Sequence, residues 1–327
     1  MLSPKTHTLY LAPFQGITTQ VFREIFTRHF PGTDKLFTAF FTGINNEKSL
    51  RSRRKELEKT SHNGVPVIPQ ILSKDAGEIL LFGKLCHNMG FNEINWNLGC
   101  PFPRVARKMR GCGLLPYPEK IMEILETVFP ALPIKLSVKC RLGYHNADEI
   151  MALLPVFNKF PLSEIIVHAR LGEQMYKGNV DTDTFRKVLQ QSMHEMVYNG
   201  DIFSPADFED ITQQFPQLNY WMIGRGLLAD PFLPGQLKGI PIPEPPLGVI
   251  RKYVDDLYYT YRKAFNDSLR TINVMKEFWS YLSLSFDRPK RVFGKIKKCT
   301  SFDAYEDAVN FALNNYTWQG NGGKKIK

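Results

Sequence analysis

Short, apolar, β-branched segments recur along this chain at 8–12, 35–40, 65–71, 93–97, 134–139, 164–168, 195–199 and 220–224. Each is bounded by Gly, Pro or Asn, and the stretches between them carry apolar residues at helical spacing. Thr18-Thr19-Gln20 opens one such helical stretch running to Phe30, and Ser204-Pro205-Ala206-Asp207 opens another toward Phe215, because hydroxyl and carboxylate side chains cap the first N–H groups of a helix. Parallel strands need a crossover between each pair, and eight of them closed on themselves leave no open edge. The alternation therefore predicts the α/β class and a (β/α)8 TIM barrel, which takes about 250 residues and here ends near Gly239.

Beyond that point the alternation stops. The stretch 239–248, GIPIPEPPLG, holds four prolines in ten residues, and proline interrupts helix and sheet alike. We expect a barrel domain over 1–240, a linker over 241–248 and a small helical domain over 249–327, with helices at 249–266, 271–284 and 302–315. The net charge of +10 favours a polyanionic partner. From residue 245 onward 15 Lys or Arg face eight Asp or Glu, so seven of those ten charges lie in the tail.

Five cysteines, Cys86, Cys100, Cys112, Cys140 and Cys299, are scattered without CxxC spacing. That argues against a disulfide framework or a zinc knuckle, and no metal is expected. No stretch approaches the ~18 apolar residues of a membrane span, and the N-terminus lacks a basic then apolar leader. The expectation is a cytoplasmic protein with no membrane association.

In a barrel of this kind the reactive groups lie at the C-terminal ends of the strands. The predicted strands end at Pro13, Phe40 with Thr42, Gln70, Asn97 with Cys100, Lys139 with Arg141, His168 with Arg170, Asn199 with Asp201, and Gly224-Arg225-Gly226. The last two, NGDI and IGRG, sit where such barrels hold a phosphate, since glycine lets the backbone approach closely. A phosphate site beside Lys139, His168 and Gln70 suggests flavin mononucleotide (FMN), with a lysine at the electron-rich edge of the ring and the amides of Gln70 and Asn97 at its polar rim. Cys100 ends a strand, in a tight turn ahead of Arg104, Arg107, Lys108 and Arg110. A thiol so placed serves as nucleophile, acid or packing residue.

LAPFQGIT (11–18), PQIL (69–72), NWNLGCP (95–101), LSVKCRLG (136–143), VHARLGEQMYKG (167–178), NGDI (199–202) and IGRGLLADPFL (223–233) occur in family order and spacing. Through them the chain resembles the tRNA-dihydrouridine synthases, as a divergent bacterial-type member, over essentially the whole barrel. The resemblance implies an FMN-dependent oxidoreductase acting on CH–CH groups, with NADPH as reductant and tRNA as substrate. It implies a flavin site lined by Pro13, Phe14, Gln70, Asn97, Lys139, His168, Asn199, Asp201, Gly224 and Arg225. Cys100 becomes the general acid that protonates carbon 5 of a uracil while a hydride reaches carbon 6.

The basic residues take on a matching role. Arg104, Arg107, Lys108 and Arg110, with Arg141 and Arg170, are expected to form a basic rim around an extruded base. Arg288, Lys290, Arg291, Lys295, Lys297 and Lys298 are expected to dock RNA backbone, with the protein acting as a monomer. Three departures from the family pattern stand out: Phe14-Gln15 where Met-Glu is common, Gly111-Cys112-Gly113 in place of Gly-Ala-Ala, and no tryptophan following Tyr176. The rival readings are a barrel flavoprotein for a free pyrimidine or other small enone, and a non-catalytic RNA-binding barrel. For the first rival, deletion from about 245 would spare activity.

Overall fold

The computed structural model describes residues 7–320; the outer ends of the two expected domains, 1–6 and 321–327, lie outside the described residues. Ten strands form: β1 (Thr8–Leu11), β2 (Leu36–Phe37), β3 (Ser61–His62), β4 (Val65–Ile68), β5 (Gln70–Ile71), β6 (Glu93–Leu98), β7 (Lys135–Gly143), β8 (Ile165–Leu171), β9 (Met196–Asn199) and β10 (Tyr220–Ile223). A seven-stranded parallel sheet runs β1-β10-β9-β8-β7-β6-β5, and β2 pairs in parallel with β4.

Backbone bonds join the two sheets. The Leu11 N–H donates to Lys35 O at 3.0 Å and the Asp34 N–H to Leu9 O at 2.7 Å, tying β1 to β2. β4 and β5 follow each other as one strand, interrupted at Pro69, which has no N–H for the ladder. The ring therefore closes as an eight-position parallel barrel. β3 is an addition that the strand pattern does not reveal: it pairs antiparallel with β4 across Asn63-Gly64, whose φ values of 49° and 82° make a tight hairpin turn.

Side chains alternate along each strand. Ile94, Trp96, Val138, Val167 and Trp221 face outward into the large core beneath the helices. Tyr10, Phe37, Ile68, Ile166, Val197 and Met222 form a separate inner cluster. At the N-terminal end the interior is plugged by charge: Lys35 Nζ lies 3.0 Å from Glu164 and 3.8 Å from Glu93, and the Tyr10 hydroxyl donates to Glu164 at 2.8 Å. The C-terminal mouth is left open for a ligand.

The tail consists of helices Pro246–Phe265, Ser268–Leu282, Pro289–Ile296 and Phe302–Asn315. The first begins inside the stretch expected as linker, because proline at the first helical position forfeits no hydrogen bond. The tail packs on the barrel helix Gln20–His29. Phe22 stacks on Phe278 with ring centroids 5.4 Å apart, Phe30 meets Tyr253 edge-on at 4.9 Å, and the Thr19 and Tyr261 hydroxyls are 2.6 Å apart. Aromatic pairs of this kind contribute about 0.5–1.5 kcal/mol each beyond their buried area. The core is thus continuous from barrel to tail, and helix Ser268–Leu282 lies beside the mouth. No helix among the described residues is long and apolar enough to cross a membrane.

Candidate active site

A cavity of about 450 Å³ occupies the barrel mouth. Pro13, Phe14, Gln70, Asn97, Cys100, Lys139, His168, Asn199, Asp201, Gly224 and Arg225 all line it. They come from seven different strand ends, brought together only by closure of the barrel.

Beneath the cavity runs a directional chain of amides. Asn97 Nδ2 donates to Gln70 Oε1 at 2.7 Å, Gln70 Nε2 to Asn95 Oδ1 at 2.8 Å, and Asn95 Nδ2 to Ser137 Oγ at 3.0 Å. The Ser137 hydroxyl donates to Ile94 O at 3.4 Å. At the other end Asn97 Oδ1 accepts the N–H groups of Gly99 and Cys100, both at 3.0 Å. Turning any one amide over would set donor against donor, so the backbone N–H groups of the cysteine loop dictate the polarity of the whole row. Gln70 and Asn97 each retain one amide hydrogen for a ligand.

The opposite wall is cationic. Lys139 Nζ donates to Asn199 Oδ1 at 3.0 Å, while Asn199 Nδ2 donates to Met222 O at 2.8 Å. Burial, reinforced by Arg141, lowers the Lys139 ammonium to about 8. Burial also drives His168 well below its ordinary value, with Arg141, Lys139, Arg170 and Arg225 adding to the effect, so the imidazole is neutral. Arg170 donates to His168 Nε2 at 3.3 Å, which assigns the ring proton to Nδ1.

Asp201, at a φ of 39°, is held by both terminal nitrogens of Arg170 at 2.9 and 2.6 Å and by Arg225 at 2.9 Å. Its carboxylate is spent on aiming two guanidinium groups. Gly226 is obligatory beside it, since a Cβ there would lie 2.1 Å from Ile202 O.

Cys100 is 7% exposed, and burial raises its thiol above the ordinary range. The Phe102 N–H and the charges of Arg141, Arg104 and Lys139 partly offset that rise. At neutral pH the sulfur is therefore protonated, with cations at hand for the thiolate. The altered segment Gly111-Cys112-Gly113 packs behind this loop: the Cys112 N–H and Sγ both lie 3.2 Å from Cys100 O. A side chain at Gly113 would come within 2.3 Å of Ala106 O, so alanine does not fit there. At the other departure, the Phe14 ring meets Tyr281 of the tail edge-on at 6.1 Å.

The basic residues separate into two groups. Arg104, Arg107, Lys108, Arg288, Lys290, Arg291, Lys295, Lys297 and Lys298 are exposed. Arg141 and Arg170 are not on an outer rim, being 1% exposed each. Arg141 donates to Gly99 O at 3.0 Å and to Leu171 O at 2.8 Å, and Arg170 is locked to Asp201; neighbouring carbonyls and a carboxylate meet the charge that would otherwise demand water.

Phe40, expected at a strand end, lines the wall as well. Several cavity residues escaped the sequence reading. Tyr176 sits between Arg141 and Arg225, with each guanidinium 5.4 Å from its ring, and Phe102 also lines the wall. The tail adds Glu277, Ser280 and Tyr281. Their spacing of three and four residues marks one helix face, but nothing local says that this face meets the barrel mouth.

Among solved structures, histamine dehydrogenase from Rhizobium sp. 4-9 matches with a TM-score of 0.55 at 12% identity, over 71% of this chain and 45% of that one. A morphinone reductase mutant in complex with tetrahydroNAD matches with a TM-score of 0.53 at 8% identity, over 74% and 89%. With these the protein shares a fold, and its class is a (β/α)8 barrel with the site at the C-terminal mouth. The family model for dihydrouridine synthase matches residues 10–309, and the chain belongs to that family. The tRNA-dihydrouridine(16) synthase of Neisseria meningitidis serogroup A is 26% identical over 94% of this chain and 95% of its own length. The tRNA-dihydrouridine synthase B of Pasteurella multocida is 28% identical over 69% and 67%.

Proposed function

We propose that this protein reduces uridine in tRNA to dihydrouridine, with FMN held in the barrel-mouth cavity, NADPH as the electron donor, and Cys100 as the proton donor. The observation that carries the reading is the meeting, in one cavity, of a thiol kept protonated by burial with a lysine, a neutral imidazole and a row of oriented amides. The residues present suit FMN. Arg225 and the glycine loops offer a phosphate corner, Lys139 a cation for the ring, and Gln70 and Asn97 amide hydrogens for its rim.

When bound, FMN reduced by NADPH would supply a hydride for carbon 6 of the uracil. The chain's own residues do the rest. Asn97 fixes the loop that carries Cys100, whose Sγ gives its proton to carbon 5, so that the double bond gains one hydride and one proton. Arg141, Arg104 and Lys139 stabilise the thiolate until solvent returns the proton. Tyr176 and Phe102 present apolar faces to an extruded base, and the exposed arginines and lysines take the RNA backbone. The enzyme acts as a monomer in the cytoplasm.

Mapping dihydrouridine at single-nucleotide resolution in tRNA, from cells with and without the gene, tests this reading. Loss at a defined position is expected, with position 16 examined first because the Neisseria relative aligns through the tail. An unchanged map would refute it. Cys100→Ala should keep flavin absorbance near ~450 nm and NADPH oxidation while losing nearly all uridine reduction. Tail deletion no longer separates tRNA from a free pyrimidine as substrate, because it removes Glu277, Ser280 and Tyr281 from the cavity wall.

A further inference from the structure

We propose that the 3₁₀ segment Glu47–Leu57 is an RNA-backbone contact that grips the strand delivering a nucleotide into the cavity; this rests on the tRNA reading above. The segment is unusually long for a 3₁₀ helix, a form that rarely exceeds three or four residues. Asn46 and Ser49 cap its start reciprocally, and Leu50 and Leu57 anchor it at 6% and 1% exposure.

Its charges are sorted by direction. Glu56 turns inward, accepting the Gln20 N–H at 2.8 Å and pairing at 3.0 Å with the fully buried Arg23. Arg53 also turns inward, donating to Phe40 O at 2.7 Å and Ala39 O at 3.1 Å. Lys48, Arg51, Arg54 and Lys55 remain exposed, and none of them is in an ion pair among the described residues. The exposed carboxylates of Glu47 and Glu58 lie at its two ends.

With three residues per turn, positions 48, 51 and 54 eclipse into one row, about 6 Å apart along the axis. A merely solvated helix interleaves opposite signs at such spacings, because like charges there repel. A row of cations at this interval matches instead the repeating phosphates of an extended strand.

The row also stands at the site. Phe40, whose carbonyl Arg53 holds, lines the cavity. On the same loop Thr42 accepts from Arg110 at 2.9 Å, which joins it to the segment carrying exposed Arg104, Arg107 and Lys108.

The test is a salt series of tRNA binding to the full-length, flavin-loaded protein. Combined Lys48→Ala, Arg51→Ala and Arg54→Ala should weaken binding at least tenfold at low salt. It should also flatten the slope of log affinity against log salt by about 2, at roughly 0.7 per single-strand phosphate contact. Flavin content and NADPH oxidation should stay at wild-type levels, and Arg51→Lys with Arg54→Lys should restore the slope. Wild-type affinity and slope in the alanine variant, while the unsubstituted protein binds tRNA, would overturn the proposal alone. Failure of the unsubstituted protein to bind tRNA would overturn the tRNA reading and this proposal together.

Discussion

Replacing Asn95 by leucine keeps the volume of the barrel interior but cuts the amide chain in the middle. Gln70 Nε2 loses its acceptor at 2.8 Å, and Ser137 Oγ loses the donor at 3.0 Å. Asn95, Gln70 and Ser137 are fully buried, so water cannot replace either partner. Ser137 Oγ keeps its bond to Ile94 O at 3.4 Å, so the group left unmatched is the Gln70 amide hydrogen; one such buried group costs about 1–3 kcal/mol, with no cavity to add. The effect should also reach the thiol. A freed Gln70 no longer fixes Asn97, whose carbonyl holds the Cys100 N–H at 3.0 Å, so alkylation of Cys100 by iodoacetamide should accelerate. Urea unfolding gives the stability, and a double-mutant cycle gives the connection: once Asn95 is leucine, Ser137→Ala should cost less than it does in wild type, because the bond Ser137 accepts from Asn95 has already gone and only the long bond to Ile94 O remains. An Asn95→Leu variant within about 1 kcal/mol of wild type, or additive effects in the cycle, would refute a directional chain.

At the plugged end of the barrel, Lys35→Met strands the Glu164 carboxylate, and breaking a buried pair predicts a loss of about 3 kcal/mol at pH 8. Burial already raises Glu164, so protonation should shrink that loss at pH 5; equal urea midpoints at the two pH values would contradict it. Lys139 has a folded value near 8 against 10.5 when free, so in flavin-free protein its contribution to stability is present above 10.5 and lost as pH falls through about 8. The Tm of wild type relative to Lys139→Met should therefore climb across that window, and a flat difference would refute the shift. Gly226→Ala drives a methyl to 2.1 Å from Ile202 O and 2.9 Å from Phe203 Cα, so it should cost about 1–3 kcal/mol and release flavin on dialysis; a stable, yellow variant would show that the loop yields.

The sequence by itself determined the barrel, because a period of two within strands and helical spacing between them leave few ways to bury both faces. It also determined which groups arrive at the mouth, since a strand end in a parallel barrel has only one face to serve. Its weak points were where chain neighbours decide little. Val65–Ile68 and Gln70–Ile71 read as a single strand until Pro69 interrupted the ladder, and β3 depended on an Asn-Gly turn.

Tertiary structure alone decided the environment of each charge. Arg141, Arg170, Arg104 and Arg51 are the same residue type in similar basic company, yet the first two are buried among carbonyls and Asp201 while the others face water. That outcome follows from which partners the closing barrel places within hydrogen-bond reach, often thirty or more residues away in sequence, as between Arg170 and Asp201 at 31. The same holds for the wall built by Glu277, Ser280 and Tyr281: their helix face is legible from spacing, but the packing of Phe22 on Phe278 is what brings it to the mouth. Periodicity encodes the direction in which a side chain points, whereas register and closure determine what it meets there.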